Sequence, residues 1–266
     1  MRKSLLVLPM SLFLTCIVFA SSSFAAHPLI TDDTGTQGTG KFQVELNGEY
    51  GSDRETSSDV ETVERSIEAG ITISYGLTET IDVVIGAPYV WSKSFESDPA
   101  MPAFIQTNEK GISDASFEVK WKFYEAGGLS LGLKPGISFP TGSEKKGLGT
   151  GKYGFSAHLI TSLDLEAWAF HLNLGHMRNN NRADEREDLY HVSLAAEYRI
   201  MEALRVVANI GRERNPDRTA DRDPAFALAG IIYGITKDLD IDCGVKTGIT
   251  DPETDRTILA GMAYRF

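Results

Sequence analysis

The chain has only two cysteines in 266 residues, Cys16 and Cys243, fewer basic than acidic side chains, and no long apolar run beyond its first 25 residues. Each scarcity excludes a class. Two cysteines cannot staple a small disulfide scaffold. A net charge of −11, from 26 Lys+Arg against 37 Asp+Glu, offers no basic footprint, so no nucleic-acid partner is expected. A membrane helix needs roughly 18 consecutive apolar residues, and the chain past residue 25 has none. Disorder is excluded by the 42% hydrophobic content, and a collagen-like chain by glycines without a period of three. A soluble domain and a membrane β-barrel remain, because barrel strands give a weak hydropathy signal.

The N-terminus favours export. Arg2 and Lys3 precede an apolar stretch from Leu5 to Ala20, and Ser23 and Ala25 sit at the −3 and −1 positions of a cleavage site. This is the pattern of a signal peptide over residues 1–25, with cleavage after Ala26 nearly as good. Pro9 and the serine-rich end argue against a transmembrane anchor, and Thr15 before Cys16 against a lipoprotein. Cys243 is then the single cysteine, read as a small apolar wall residue.

From Lys41 onward the period is two. Val83, Ile85, Ala87, Tyr89 and Trp91 alternate with their neighbours, as do Phe117, Val119, Trp121 and Phe123, and Leu129, Leu131, Leu133, Pro135, Ile137 and Phe139. Such alternation predicts strands with one apolar and one polar face. About twelve are expected, near 41–52, 63–76, 80–94, 113–124, 128–140, 153–165, 168–180, 188–200, 203–214, 225–236, 239–250 and 256–266. Short turns, as at Leu77–Glu79 and Glu166–Ala167, alternate with long polar loops near 53–62, 95–112, 141–152, 181–187, 215–224 and 251–255. Long strands with that asymmetry predict an all-β, transmembrane antiparallel barrel of the outer membrane over residues 41–266. An even strand count puts both termini on the periplasmic, short-turn side. A soluble β-sandwich would have shorter strands and no such asymmetry.

Aromatics cluster at strand ends: Tyr75, Trp168, Tyr198, Tyr233 and Tyr264 near the short turns, and Tyr50, Trp91, Phe139, Tyr153 and Tyr190 near the long loops. Two interfacial belts are expected of a barrel in lipid. The last strand ends Tyr264-Arg265-Phe266, and its terminal aromatic reads as a signal for the barrel-assembly machinery. Lipopolysaccharide and outer-membrane lipid are the other expected partners. The sequence around Tyr75-Gly76-Leu77-Thr78 is echoed at Tyr233-Gly234-Ile235-Thr236, a repeated hairpin module.

The segment His27-Pro28-Leu29-Ile30-Thr31-Asp32-Asp33-Thr34-Gly35, the Tyr75-Gly76-Leu77-Thr78 turn and the Phe139-Pro140-Thr141-Gly142 strand exit resemble motifs of the phenol-degradation meta-pathway (MetA-pathway) outer-membrane proteins, also labelled transporters. The resemblance implies a barrel associated with aromatic catabolism, with a transport role and no catalytic residue.

With the apolar faces turned outward, an inner wall is expected from Glu45, Glu49, Glu68, Asp82, Glu118, Lys120, Lys122, Lys134, His158, His171, Glu197, Arg199, Arg205, Asp240, Asp242, Lys246 and Arg265. Mixed charge suits a polar lumen, since such groups are costly against lipid, and the same charges can pair across strands. Lys120, Lys122 and Lys134 are expected to face water on neighbouring strands. Residues 26–40 are expected either on the periplasmic side or inside the barrel, and the apolar loop residues Met101, Phe104 and Ile105 are candidates for a constriction. The expected function is a passive channel for small solutes, with aromatic compounds suggested by the resemblance. A non-conducting structural or surface-interaction barrel is the alternative. An outer-membrane hydrolase is disfavoured because no serine pairs convincingly with a histidine. The histidines lack metal-ligand spacing, and no cofactor is expected.

Overall fold

The computed structural model describes residues 27–57, 60–98 and 101–266, and the expected signal peptide lies outside them. Among the described residues there are thirteen antiparallel strands: β1 (Phe42–Ser57), β2 (Val60–Gly76), β3 (Ile81–Asp98), β4 (Met101–Ile112), β5 (Ala115–Ala126), β6 (Leu129–Phe139), β7 (Gly154–Leu165), β8 (Trp168–Arg178), β9 (Asp188–Met201), β10 (Leu204–Glu213), β11 (Ala225–Gly234), β12 (Leu239–Gly248) and β13 (Arg256–Arg265). Each pairs with its sequence neighbour except β4 and β5, which both pair with β3, and β1 pairs with β13 from Gln43↔Arg265 to Ser52↔Arg256, closing the ring. The ring contains twelve strands, because β4 and β5 divide the length of β3 between them. β5 pairs with Ile81–Gly86 and β4 with Tyr89–Asp98. Closure removes the open sheet edges that lipid cannot satisfy.

The twelve expected strands are all present, but two expected loops are not loops. Residues 53–57 and 60–62 lengthen the β1–β2 hairpin, with Ser57 opposite Val60. Residues 95–98 continue β3 and residues 101–112 form β4, with Glu96 opposite Ile105 and Asp98 opposite Met101. Met101, Phe104 and Ile105 therefore stand on a strand beyond the ring, not on a constriction loop. β1–β4 together make a four-stranded blade that rises past the other strands. The period-two reading missed it because a ladder standing in water needs no apolar face.

The wall is inverted relative to a soluble protein. Leu46, Ile67, Ile85, Leu174, Leu194, Ile210, Val245 and Ile258 point outward and are exposed, while Gln43, Ser130, Ser162, His171, Asn173, Glu197 and Asn209 are buried inside. The outward face suits lipid, and the buried polar groups need internal partners. At the short-turn end, Phe42 packs on Tyr75 (centroids 4.5 Å apart) and on Phe266 (5.5 Å), and Trp168 packs on Tyr198 (4.6 Å). Tyr153 and Tyr190 are exposed near the opposite rim. Cys243 faces outward.

Candidate functional site

Residues 27–40 run as an arc around the inner wall, in the half of the barrel nearer the short turns. His27 Nδ1 lies 2.6 Å from Asp242 Oδ1 on β12. Asn209 on β10 accepts the backbone N–H groups of Ile30 (2.8 Å) and Thr31 (3.0 Å) and donates to Thr31 Oγ1 (2.6 Å). Asn173 on β8 accepts the Asp32 N–H (2.8 Å) and donates to the Asp32 carbonyl (2.7 Å). A side-chain amide here does what a neighbouring strand would do, giving both backbone groups of one residue a partner. The Thr34 N–H donates to Ser162 Oγ on β7 (3.1 Å), and the Thr34 hydroxyl bonds to Ser130 on β6. The Gln37 N–H donates to Asp82 on β3 (2.9 Å), and the Gly40 N–H to the Gly76 carbonyl (2.8 Å). The arc thus touches β12, β10, β8, β7, β6, β3 and β2 before the chain turns into β1.

Packing fixes the arc's first residues. Leu29 and Ile30 lie against the inward cluster of Phe226, Leu228 and Leu259. Gly230 and Gly244 are direct partners on β11 and β12, and together they make the dent that receives Pro28. A Cβ at Gly230 would stand 2.7 Å from Pro28 Cγ, and one at Gly244 3.0 Å from Pro28 Cβ. Both distances are too close without movement of the ring.

The charged centre is Asp32. Lys120 Nζ reaches Asp32 Oδ1 at 2.7 Å and Asp33 Oδ1 at 3.6 Å, while Lys134 Nζ reaches Asp32 Oδ2 at 2.8 Å and Glu118 at 3.5 Å. The expectation that these lysines face open water is corrected here. Their side chains are only 12% and 17% exposed, and the arc's carboxylates hold them. Lys122 is also paired, with Glu125 at the short-turn end. Low surrounding polarity strengthens such pairs and makes an unpaired member costly.

Other expected residues form a second network. Glu197 lies between His171 Nε2 (3.5 Å) and Arg205 Nη1 (2.8 Å). Arg205 and Arg265 both reach Asp240, at 3.4 and 3.0 Å, and Arg265 Nε donates to Gln43, whose amide donates to Glu45. Lys246 pairs with Glu253 (2.7 Å), and Arg199 donates to the Glu166 carbonyl. His158 packs edge-on to His191, with centroids 6.1 Å apart. Glu49 and Glu68 stand directly opposite each other on β1 and β2, away from the arc.

The geometry also corrects the reading that no serine accompanies a histidine. Ser162 Oγ is 2.9 Å from His171 Nδ1, and Ser193 Oγ is 2.8 Å from His191 Nε2. Ser162, His171 and Glu197 are all buried, and the Thr34 N–H occupies the Ser162 oxygen. Through that contact the trio anchors the arc. The pairing was readable: about a turn centred on Glu166–Ala167, Ser162 and His171 are register partners. Asn173 and Asn209 had the same signal, being inward amides on a wall with few of them, but nothing local connects them to residue 30 or 32. Among the described residues, no group of three or more His, Cys, Asp or Glu is placed to hold a metal ion.

The arc does not fill the ring. A cavity of about 240 Å³ lies between it and β1, β2, β3 and β5, lined by Glu45, Asn47, Thr72, Asp82 and Glu118 among others. A second, of about 260 Å³, continues toward the long-loop end past Glu49, Glu68 and Asp114. The two share His27, Asn47 and Thr72 as walls.

Comparison with known proteins agrees with this architecture. Residues 28–266 match the model of a protein family described as "Putative MetA-pathway of phenol degradation". No curated protein matches the chain. Among solved structures, the COG4313 outer membrane channel from Pseudomonas putida F1 is similar with a TM-score of 0.65 at 14% identity, covering 88% of this chain and 98% of that one. The transport unit of the autotransporter AIDA-I from Escherichia coli gives 0.59 at 9% identity, over 89% of this chain and 94% of that one. The KdgM porin gives 0.55 at 7% identity, over 84% and 99%. Likeness at such identities carries the fold, an outer-membrane β-barrel.

Proposed function

This chain belongs to that phenol-degradation family, and from that premise we propose that it is a passive outer-membrane channel for small solutes, narrowed by residues 27–40. The observation that carries the reading is the pair of cavities left along β1–β3, which share walls and extend from the short-turn half toward the long loops. A barrel serving only as a structural element has no use for a polar gap that its own N-terminal arc leaves unfilled. The family's description directs attention to small aromatic compounds as solutes. Phe266, which closes the seam through mutual backbone hydrogen bonds with Phe42 (2.8 and 3.0 Å), suits a role as the element read by the assembly machinery. The charged long loops suit contact with lipopolysaccharide.

Purified protein reconstituted into planar bilayers tests the reading. The parent should give small, steady conductance, and deletion of residues 28–37 should raise it several-fold. If neither form conducts, while both show heat-modifiable migration and insertion, the non-conducting surface barrel takes the channel's place.

A further inference from the structure

We propose that the passage beside the arc prefers cations, so that the channel admits small cationic and neutral solutes and excludes anions, aromatic carboxylates included. This rests on the channel reading and adds a charge rule to it.

The first observation is where the positive charge goes. Lys120 and Lys134 border the first cavity, yet Asp32 and Glu118 engage both ammonium groups. On the far wall Lys246 is held by Glu253 at 2.7 Å and lies over the Phe226 ring. Arg205 and Arg265 are tied to Glu197 and Asp240. The cations of the interior are thus spent on partners.

The second observation is what the passage retains. Glu45, Glu49, Glu68 and Asp82 line it, and among the described residues none has a basic side chain within ion-pair distance. Glu49 and Glu68 are direct cross-strand partners, an arrangement that costs stability unless something positive stands between them. Asp82 is 2% exposed and its Oδ1 has no hydrogen-bond partner, and Asn47 Oδ1, at the junction of the two cavities, has none either. These buried acceptors belong to residues that wall the passage, and they call for donors or a positive charge. A low-dielectric wall screens such carboxylates poorly, so they set ion preference in a narrow path.

The test is the reversal potential of the reconstituted full chain across a gradient of dilute potassium chloride. The parent should pass potassium over chloride by roughly fivefold or more, and the preference should shrink in 1 M salt, where the screening length falls to about 3 Å. Glu49→Gln with Glu68→Gln should bring the ratio close to one while heat-modifiable migration stays unchanged. Glu202→Gln, in the exposed β9–β10 turn, should leave it alone. A parent that conducts without preference, or prefers chloride, overturns the inference and leaves the channel reading standing. So does a double variant that conducts with the parent's ratio. Absence of current in every folded, inserted form overturns the channel reading itself, and the charge rule with it.

Discussion

Replacing Asp32 by alanine isolates the contact on which the arc depends. The side chain is 21% exposed and accepts from two lysines at 2.7 and 2.8 Å. Breaking a buried ion pair by removing one partner costs about 3–5 kcal/mol, mostly from the charge left behind. Here Lys120 keeps Asp33 at 3.6 Å and Lys134 keeps Glu118 at 3.5 Å, so the lower end, about 3 kcal/mol, is the appropriate figure. That loss falls on the docked arc, not on the ring, whose ladder is untouched. Each 1.4 kcal/mol is tenfold in an equilibrium constant, so the ratio of docked to undocked arc should fall roughly a hundredfold. Two assays read it: frequency of large-conductance openings in planar bilayers, and cleavage of residues 27–40 by protease added from the short-turn side. Unchanged openings and unchanged cleavage in the single variant would show that the ion pairs do not hold the arc.

Four further outcomes follow from named contacts. Gly244→Val should place a side chain where Pro28 sits and raise conductance in the same direction as Asp32→Ala; parent-like conductance would count against the dent as an anchor. Glu79, in the short β2–β3 turn, accepts from the Thr39 N–H (3.2 Å), and these Thr39 hydrogen bonds hold its carboxyl below the usual range. A depressed carboxyl contributes above its unfolded value, so protease protection of residues 36–40 should weaken as pH falls below about 4.5, and Glu79→Gln should remove that dependence. Cys243 faces lipid, so a water-soluble maleimide should leave it unlabelled in intact membranes and label it after denaturation; rapid labelling in the membrane would reverse the assignment of faces. Phe266→Ala removes the ring stacked on Phe42 and Tyr264 and should lower the assembled yield, measured as the heat-modifiable band, more than it alters the conductance of what does assemble.

The ring was legible because lipid imposes a rule on every second residue: Val83, Ile85 and Trp91, or Leu129, Leu131 and Leu133, could alternate for no other reason over such lengths. Where lipid ends, the rule ends. Residues 53–57, 60–62 and 101–112 pair as strands with both faces free to be polar, so the sequence there looks like loop. Parity along a strand names the face a charge is expected to take, but not its partner. Lys120 and Asp32 are 88 residues apart, and only closure of the ring brings β5, β6, β8 and β10 round one short stretch of chain. Parity says which way Asn209 points; it says nothing of what waits in the middle.

The blade formed by β1–β4 makes the rim lopsided, and its tall side stands over the same strands that border the gap. Past Lys93, which is level with the Ser52↔Arg256 end of β13, it adds roughly 17 Å of strand length. Its inner face continues the sign of the passage: Asp53 lies opposite Glu64 and Ser92 donates to Glu64 at 3.0 Å, while Glu109 on β4 is paired with Lys146. A negatively charged surface of that height concentrates positive solutes from the surrounding medium before they reach the mouth, raising the frequency of capture without changing what the narrow part accepts. Collection and discrimination are then separate properties of one set of strands. Shortening the blade should slow arrival at low ionic strength and leave the reversal potential where it was.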